Sequence, residues 1–254
     1  MTEKSKVQSL DRAFDILELL CRSHGGMTLA ALADETGLSK STVHRLLASM
    51  LNRGYVYQDS KGALYHAGMR ICELSGYIID NIDIVARARE PMEQLNLKTR
   101  ETIHLVMQEG AEIVYIHKVE SDQTSIRMFS RIGIRRPMYC TAVGKAILAT
   151  LKQEEVLALW KASVRHTYTA HTITDQGEFF KEINQIREDG YAIDNEENEL
   201  GIRCIAAAIN DWRGYASYAL SISAPASRFS DERIRLFAPL LLETRDQIAS
   251  VIGG

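Results

Sequence analysis

TLAALADETGLSKSTVHRLLASMLN, residues 28–52, reads as two short helices joined at a glycine. Leu29, Leu32 and Ala33 give the first helix one apolar face, Gly37 breaks it, and Leu38 plugs the turn. Ser39 is suited to cap the second helix, because its hydroxyl can accept one of the backbone N–H groups that a helix start leaves open. Val43, Leu46, Leu47 and Met50 then recur at helical spacing. The opposite face carries Ser41, Arg45, Ala48 and Asn52, flanked by His44 and Ser49. A face meant only for water usually carries long Glu and Lys side chains. This one is small, polar and basic, so a backbone can lie close to it and its side chains can donate to phosphates and base edges. The pattern predicts a helix-turn-helix whose second helix enters the DNA major groove.

The flanking residues complete a small domain. Tyr55 to Gln58 is β-prone, Asp59 to Gly62 is turn chemistry, and Ala63 to His66 can return as a second strand. Such a hairpin is a wing, with Lys61 at its tip in reach of a phosphate. Upstream, Leu10, Phe14, Leu17 and Cys21 predict a further amphipathic helix, stopped by Gly25 and Gly26. Residues 7–68 are therefore expected to form a winged helix-turn-helix DNA-binding domain. Its candidate DNA contacts are Thr28, Ser39, Lys40, Ser41, Thr42, His44, Arg45 and Lys61.

The chain has 254 residues, enough for one large or two modest domains. Its 46% hydrophobic and 25% charged residues are ordinary for a globular protein. No apolar run is long enough to cross a bilayer, and MTEKSKVQSL lacks the apolar centre of a signal peptide, so a cytoplasmic location is expected. Cys21, Cys72, Cys140 and Cys204 are widely spaced, which predicts neither a disulfide framework nor a zinc site. No metal or cofactor is expected. The net charge of −3 argues against indiscriminate coating of nucleic acid. Residues 1–68 hold 8 Lys and Arg against 7 Asp and Glu, so one copy is nearly neutral. A homodimer or homotetramer would multiply the phosphate contacts.

Beyond the wing, residues 69–82 predict a linker helix, with Ile71, Leu74 and Ile78 on a face that lacks a partner in the small domain. Residues 82–99 repeat the helical pattern through Val85, Ala88, Met92 and Leu95, and Pro91 predicts a kink or an early break. The pattern then changes to strands. Residues 102–107 and 113–119 flank the turn Glu109-Gly110-Ala111-Glu112 and predict an antiparallel hairpin, and residues 125–130 a third strand. Helices are expected over 141–151, 154–161, 177–189 (through Phe180, Ile183 and Ile186) and 230–252. Strands are expected over 191–194, 203–210 and 215–223. The sum is an α+β domain over residues 83–252 with a mostly antiparallel sheet.

In that domain Cys140-Thr141-Ala142-Val143-Gly144 opens a helix with small residues, and a helix start suits an anion such as a carboxylate. Arg135 and Arg136 lie just upstream. Ser221 and Ser223 alternate on one strand, so both hydroxyls point the same way. Asp194 ends a strand beside the polar loop Asn195 to Asn198, and Cys204 begins the next strand. An acid, two hydroxyls and a helix start predict a site for a small organic acid.

Four separated segments in order, GLSKSTVHRLL, RPMYCTAVGKAILA, DNEENELGIRCIAAAI and ALSISAP, resemble the IclR family of bacterial transcriptional regulators along essentially the full length. ETIHLVMQEGAEIVYIHKVES and SRIGIRRPMYCTAVGKAILA look most like its KdgR-type, sugar-acid-responsive members. The resemblance implies a winged helix-turn-helix, a GAF-like effector domain, and dimers or tetramers on palindromic operators. It places the small-carboxylate pocket on Met128, Arg136, Ala142, Val143, Asp194, Ile202, Cys204, Ser221 and Ser223. Members that bind the smallest keto acids tend to be apolar where Arg136 stands. The arginine therefore favours a larger or more polar acid, such as a keto-deoxy sugar acid.

The expected function is a ligand-responsive regulator, a repressor of a catabolic operon, with double-stranded operator DNA and a sugar acid or keto acid as partners. The alternative is an enzyme acting on small carboxylates with an appended helical domain. No GxSxG, HExxH or P-loop motif occurs, and no His neighbours Cys140 or Cys204 in sequence.

Overall fold

In a computed structural model of the protein, the structure describes residues 7–60, 62–80, 83–122, 130–210 and 215–252. The chain divides into two compact units, residues 1–81 and 82–254.

The first unit opens with α1 (Gln8–Arg22), α2 (Leu29–Thr36) and α3 (Lys40–Leu51). Thr28 caps α2 by accepting from the Ala31 N–H, and Ser39 caps α3 by accepting from the Thr42 N–H. Between the two helices Gly37 adopts φ 66°, a left-handed conformation that an L side chain resists, which makes glycine the natural stop for α2. Ile16, Leu20, Leu32, Ala33, Val43, Leu47, Met50, Val56 and Tyr65 form one buried core. The wing strands β1 (Val56–Gln58) and β2 (Tyr65–Ala67) pair antiparallel, with Tyr57 opposite His66. After them comes α4 (Arg70–Asp80).

The face of α1 that enters the core is Ile16 and Leu20, with Ala13, Leu17 and Leu19 partly buried against it. Leu10 and Phe14 instead remain 51% and 53% exposed, and Cys21 is exposed as well. The helix carries two apolar stripes, and periodicity alone does not say which one faces inward.

The second unit is built on a six-stranded antiparallel sheet in the order β5-β4-β3-β8-β7-β6. The strands are β3 (Thr102–Glu109), β4 (Glu112–Val119), β5 (Arg135–Pro137), β6 (Ala192–Asn195), β7 (Ile202–Asn210) and β8 (Ala216–Pro225). The helices are α5 (Asp83–Thr99), α6 (Ala142–Thr150), α7 (Gln153–Ala162), α8 (Gln176–Asp189) and α9 (Asp231–Ile252). Pleat alternation splits the sheet into two faces. Val106, Ala206, Ala208 and Ala219 turn toward α6 and share its core with α7 and α8. Ile103, Leu105, Ile205, Leu220 and Ile222 turn the other way and are fully buried. The helices α5 and α9 pack on each other and on strands β3, β7 and β8.

Pro91 does not break α5, which runs uninterrupted from Asp83 to Thr99. Ile84, Val85, Ala88, Met92 and Leu95 are all buried along it, and that packing outweighs the loss of one backbone hydrogen bond. On α8 the inward aromatic is Phe179, which stacks on Trp160 with centroids 4.2 Å apart, while Phe180 is only partly buried. Of the expected third strand, residues 125–129 lie outside the described residues, and the segment Arg135–Pro137 supplies a strand that sequence patterning did not suggest.

Candidate functional site

The outer face of α3 presents Lys40, Ser41, His44, Arg45 and Ser49 to solvent, with Thr42 half-buried. Its first turn is a small hydroxyl network. Ser39 Oγ lies 3.0 Å from Ser41 Oγ and 2.9 Å from Thr42 Oγ1. Thr28 and Ser39 therefore act first as caps, and both residues remain exposed. Lys61 lies outside the described residues. The wing adds an aromatic pair missed in the sequence: Tyr57 stacks on His66 with centroids 4.8 Å apart and planes 11° from parallel.

In the second unit, Arg136, Thr141, Ala142, Val143, Asp194, Ile202, Cys204, Ser221 and Ser223 line a single cavity of about 40 Å³. Of the expected pocket residues, only Met128 lies outside the described part of the chain. Tyr115, Ser130, Asn198 and Glu199 complete the lining. The cavity sits where α6 begins, against the face of the sheet that the register assigns to Cys204, Ser221 and Ser223.

Each wall has a local cause. The α6 start is brought close to the preceding segment by Gly144, where a Cβ would lie 2.3 Å from Met138 Cα and 2.4 Å from Met138 O. Thr141 Oγ1 donates to Pro137 O at 2.9 Å and accepts from the Gly144 N–H at 3.2 Å. Its hydroxyl is thus committed to the cap, and the helix start offers backbone N–H groups rather than this side chain. Strand alternation separates the two arginines. Arg135 pairs with Glu109 at 2.7 Å on the surface, and Arg136 lines the cavity.

Asp194 is 4% exposed, and its Oδ1 accepts the backbone N–H groups of Glu197 at 2.7 Å and Asn198 at 3.4 Å. These bonds fold the acidic loop back over its own strand. Thr169 and Thr172 donate to the carbonyls of Glu196 and Glu197, fixing the loop from the other side. Burial, and then the nearby Glu197 charge, push the Asp194 carboxyl up to about 7. It therefore exchanges a proton close to neutral pH. Burial also raises the Tyr115 phenol and the Cys204 thiol, so both face the cavity uncharged. The lining thus offers a guanidinium, backbone N–H groups and hydroxyls together with the acceptor oxygens of Asp194, Asn198 and Glu199.

Two supporting residues escaped the sequence reading. Lys145 is fully buried and donates to Glu197 at 2.5 Å and Glu182 at 2.9 Å. It ties α6 to the loop that follows Asp194. Burial works against its ammonium, but Glu197 and Glu182 outweigh burial and shift it upward. The signal was present as a lysine inside the otherwise apolar run AVGKAILA. The second is His104, whose Nδ1 lies 3.2 Å from Ser223 Oγ and 3.4 Å from Ser221 Oγ. A serine beside a histidine invites a nucleophile-and-base reading. Burial, followed by the Lys118 charge, pushes the imidazole down to about 3. A base that weak cannot hold a serine proton near neutral pH.

Comparison with known proteins agrees with both halves. Residues 9–60 match the family profile described as the IclR helix-turn-helix domain, and residues 76–250 match that of the bacterial transcriptional regulator IclR C-terminal domain. The HTH-type transcriptional regulator KdgR of Escherichia coli (strain K12) is 36% identical over 251 residues, covering 99% of this chain and 95% of that protein. XynR, an HTH-type transcriptional regulator of the same strain, is 34% identical over 97% of this chain and 98% of its own length. Among solved structures, the Thermotoga maritima IclR superposes with a TM-score of 0.84 at 32% identity, covering 97% of this chain and 99% of that one. The C-terminal domain of Escherichia coli KdgR superposes with a TM-score of 0.62 at 37% identity, covering 68% of this chain and all of that domain.

Proposed function

The chain belongs to the IclR family of bacterial transcriptional regulators, and from that premise we propose that it represses a catabolic operon and is controlled by a hydroxylated organic acid. It is a DNA-binding regulator that responds to a small molecule, not an enzyme. The observation that carries the finer reading is the convergence of Arg136, the α6 start, Ser221, Ser223 and Asp194 on one cavity. A carboxylate is held by charge-assisted hydrogen bonds from Arg136, backbone N–H groups and serine hydroxyls. Glu199, and Asp194 in its ionised form, repel a second carboxylate and accept from ligand hydroxyls. The ligand class is therefore a sugar acid or a hydroxylated keto acid, with one acid end and one hydroxylated end.

The division of labour follows the two units. Residues 7–68 read a palindromic operator, residues 69–82 connect, and residues 83–252 bind the effector, a reading supported by the unit border at residues 81 and 82. An operator is met in the cytoplasm. Effector binding acts on DNA affinity to the extent that it favours one of two arrangements of the chain. In a gel shift with operator DNA, a sugar acid should release the protein, whereas the matched neutral polyol should not. Retention of the complex across a broad set of hydroxylated acids would refute the ligand class.

The active species is a homodimer or homotetramer. Leu10, Phe14, Tyr77 and Ile78 are each more than half exposed on the DNA-binding unit, and a nearly neutral single copy has few phosphate contacts to offer. Two copies reach half-sites about one helical turn apart. Light scattering at micromolar concentration should give at least twice the 28.5 kDa chain mass, and a monomer would contradict the dimer.

A further inference from the structure

His104 stands behind the cavity rather than in its lining, yet its three hydrogen-bond partners all line it. On β3 it sits in register with Ser221 of β8, one step from Ser223. Its Nδ1 reaches the Ser223 hydroxyl at 3.2 Å and the Ser221 hydroxyl at 3.4 Å, and its Nε2 reaches the Ser130 hydroxyl at 2.8 Å. The Tyr115 ring meets it edge-on, with centroids 5.1 Å apart. Opposite it on β4, Lys118 donates to the Ser130 carbonyl at 3.1 Å and pairs with Glu120. That ammonium faces the imidazole, and together with burial it keeps the ring neutral.

A neutral imidazole has one N–H and one bare nitrogen, so its two sides have opposite hydrogen-bonding sense. If Nε2 carries the hydrogen, Nδ1 must accept a serine hydrogen. That serine then shows the cavity only lone pairs. If Nδ1 carries the hydrogen, it donates to the serine oxygen and leaves the serine O–H free to point into the cavity. Ser130 then gives its hydrogen to Nε2 and presents lone pairs. The serine that Nδ1 engages and Ser130 thus differ in polarity, and only with the hydrogen on Nδ1 are both Ser221 and Ser223 free to turn their O–H groups into the cavity.

We infer that His104 is a positioning residue of the effector pocket, holding the Nδ1–H tautomer so that Ser221 and Ser223 donate to a ligand carboxylate. The inference rests on the effector reading proposed above. It gives the buried histidine a task that packing alone does not explain: an aromatic ring of the same size would fill the space without directing the hydroxyls. Orienting donors before the ligand arrives is the usual source of strong anion binding in a dry site.

The test uses full-length protein with ¹⁵N-labelled histidine, titrated with D-gluconate, D-glucuronate and 2-keto-3-deoxygluconate, with glucitol as the neutral control. In the complex with the tightest acid, the His104 signals should show a protonated Nδ1 and a bare Nε2. His104→Phe should weaken that acid at least tenfold, while His104→Asn, which keeps an N–H donor near the Nδ1 position, should weaken it less than threefold. An Nε2–H tautomer in the complex, or equal affinity of His104→Phe and wild type, overturns the inference and leaves the ligand class standing. If none of the acids binds wild-type protein, the ligand class itself falls, and the inference with it. Should His104→Phe fail to fold, the wild-type tautomer decides alone.

Discussion

Lys145→Met should lower the unfolding free energy of the second unit by about 3–5 kcal/mol, the usual cost of removing one partner from a buried ion pair. The Lys145 side chain is 0% exposed and the Glu197 side chain 5%. Glu197 Oε2 already lacks a hydrogen-bond partner, so without Lys145 the carboxylate keeps only a backbone environment to offset its charge. Burial already raises the Glu197 carboxyl, with Lys145 opposing that shift. Removing Lys145 raises it further above its unfolded value. An acid whose folded pKa is raised loses stability as the pH climbs through the interval between the two values. The deficit of the variant should therefore shrink as the pH is lowered toward that of a protonated Glu197. Adding Glu197→Gln and Glu182→Gln removes the stranded charges and should restore most of the loss. Urea unfolding checks all three statements, and a deficit below about 1 kcal/mol would contradict the ion pair as a structural strut.

Arg45→Ala should weaken operator binding by about 1–3 kcal/mol if the side chain reads a base. Arg45 is exposed on α3, on the side away from buried Val43, Leu47 and Met50. It is joined there by His44, which can donate a hydrogen bond, and by Ser41 and Ser49, whose short side chains let the helix lie deep in a groove. Because the side chain leaves no cavity when truncated, the thermal unfolding transition should stay in place. Fluorescence anisotropy with labelled operator separates the two quantities. Unchanged affinity in a normally folded variant would remove Arg45 from the interface.

Much of this fold was legible because its signals are local. The cap Ser39, the stop at Gly37 and the hairpin turn at Gly110 act within a few residues, and each lies where the pattern put it. The pocket residues were legible for a different reason. Ser221, Ser223, Cys204 and Asp194 follow strand alternation, and the helix start at Thr141 announces itself by composition and by resemblance. The misreadings came where two local solutions were equivalent. On α1, the stripe through Leu10 and Phe14 and the stripe through Ile16 and Leu20 have the same period, and only contacts with α2, α3 and β2 select the second. On α8 the choice between Phe179 and Phe180 was made by Trp160. Lys145 and His104 were missed because their partners lie far along the chain: Glu197 is 52 residues from Lys145, and Ser223 is 119 residues from His104. No window of sequence shows such a pair.

Ser221 and Ser223 form the hydroxyl wall of the cavity. Each hydroxyl that donates to a carboxylate contributes about 1.5–3 kcal/mol, so Ser221→Ala together with Ser223→Ala should weaken the effector by well over tenfold. Isothermal titration calorimetry of wild-type and doubly substituted protein with the same hydroxylated acid measures that difference. Anisotropy on operator DNA without effector should give the same affinity for both. Equal effector affinity in the two proteins would place the acid somewhere other than between the α6 start and β8.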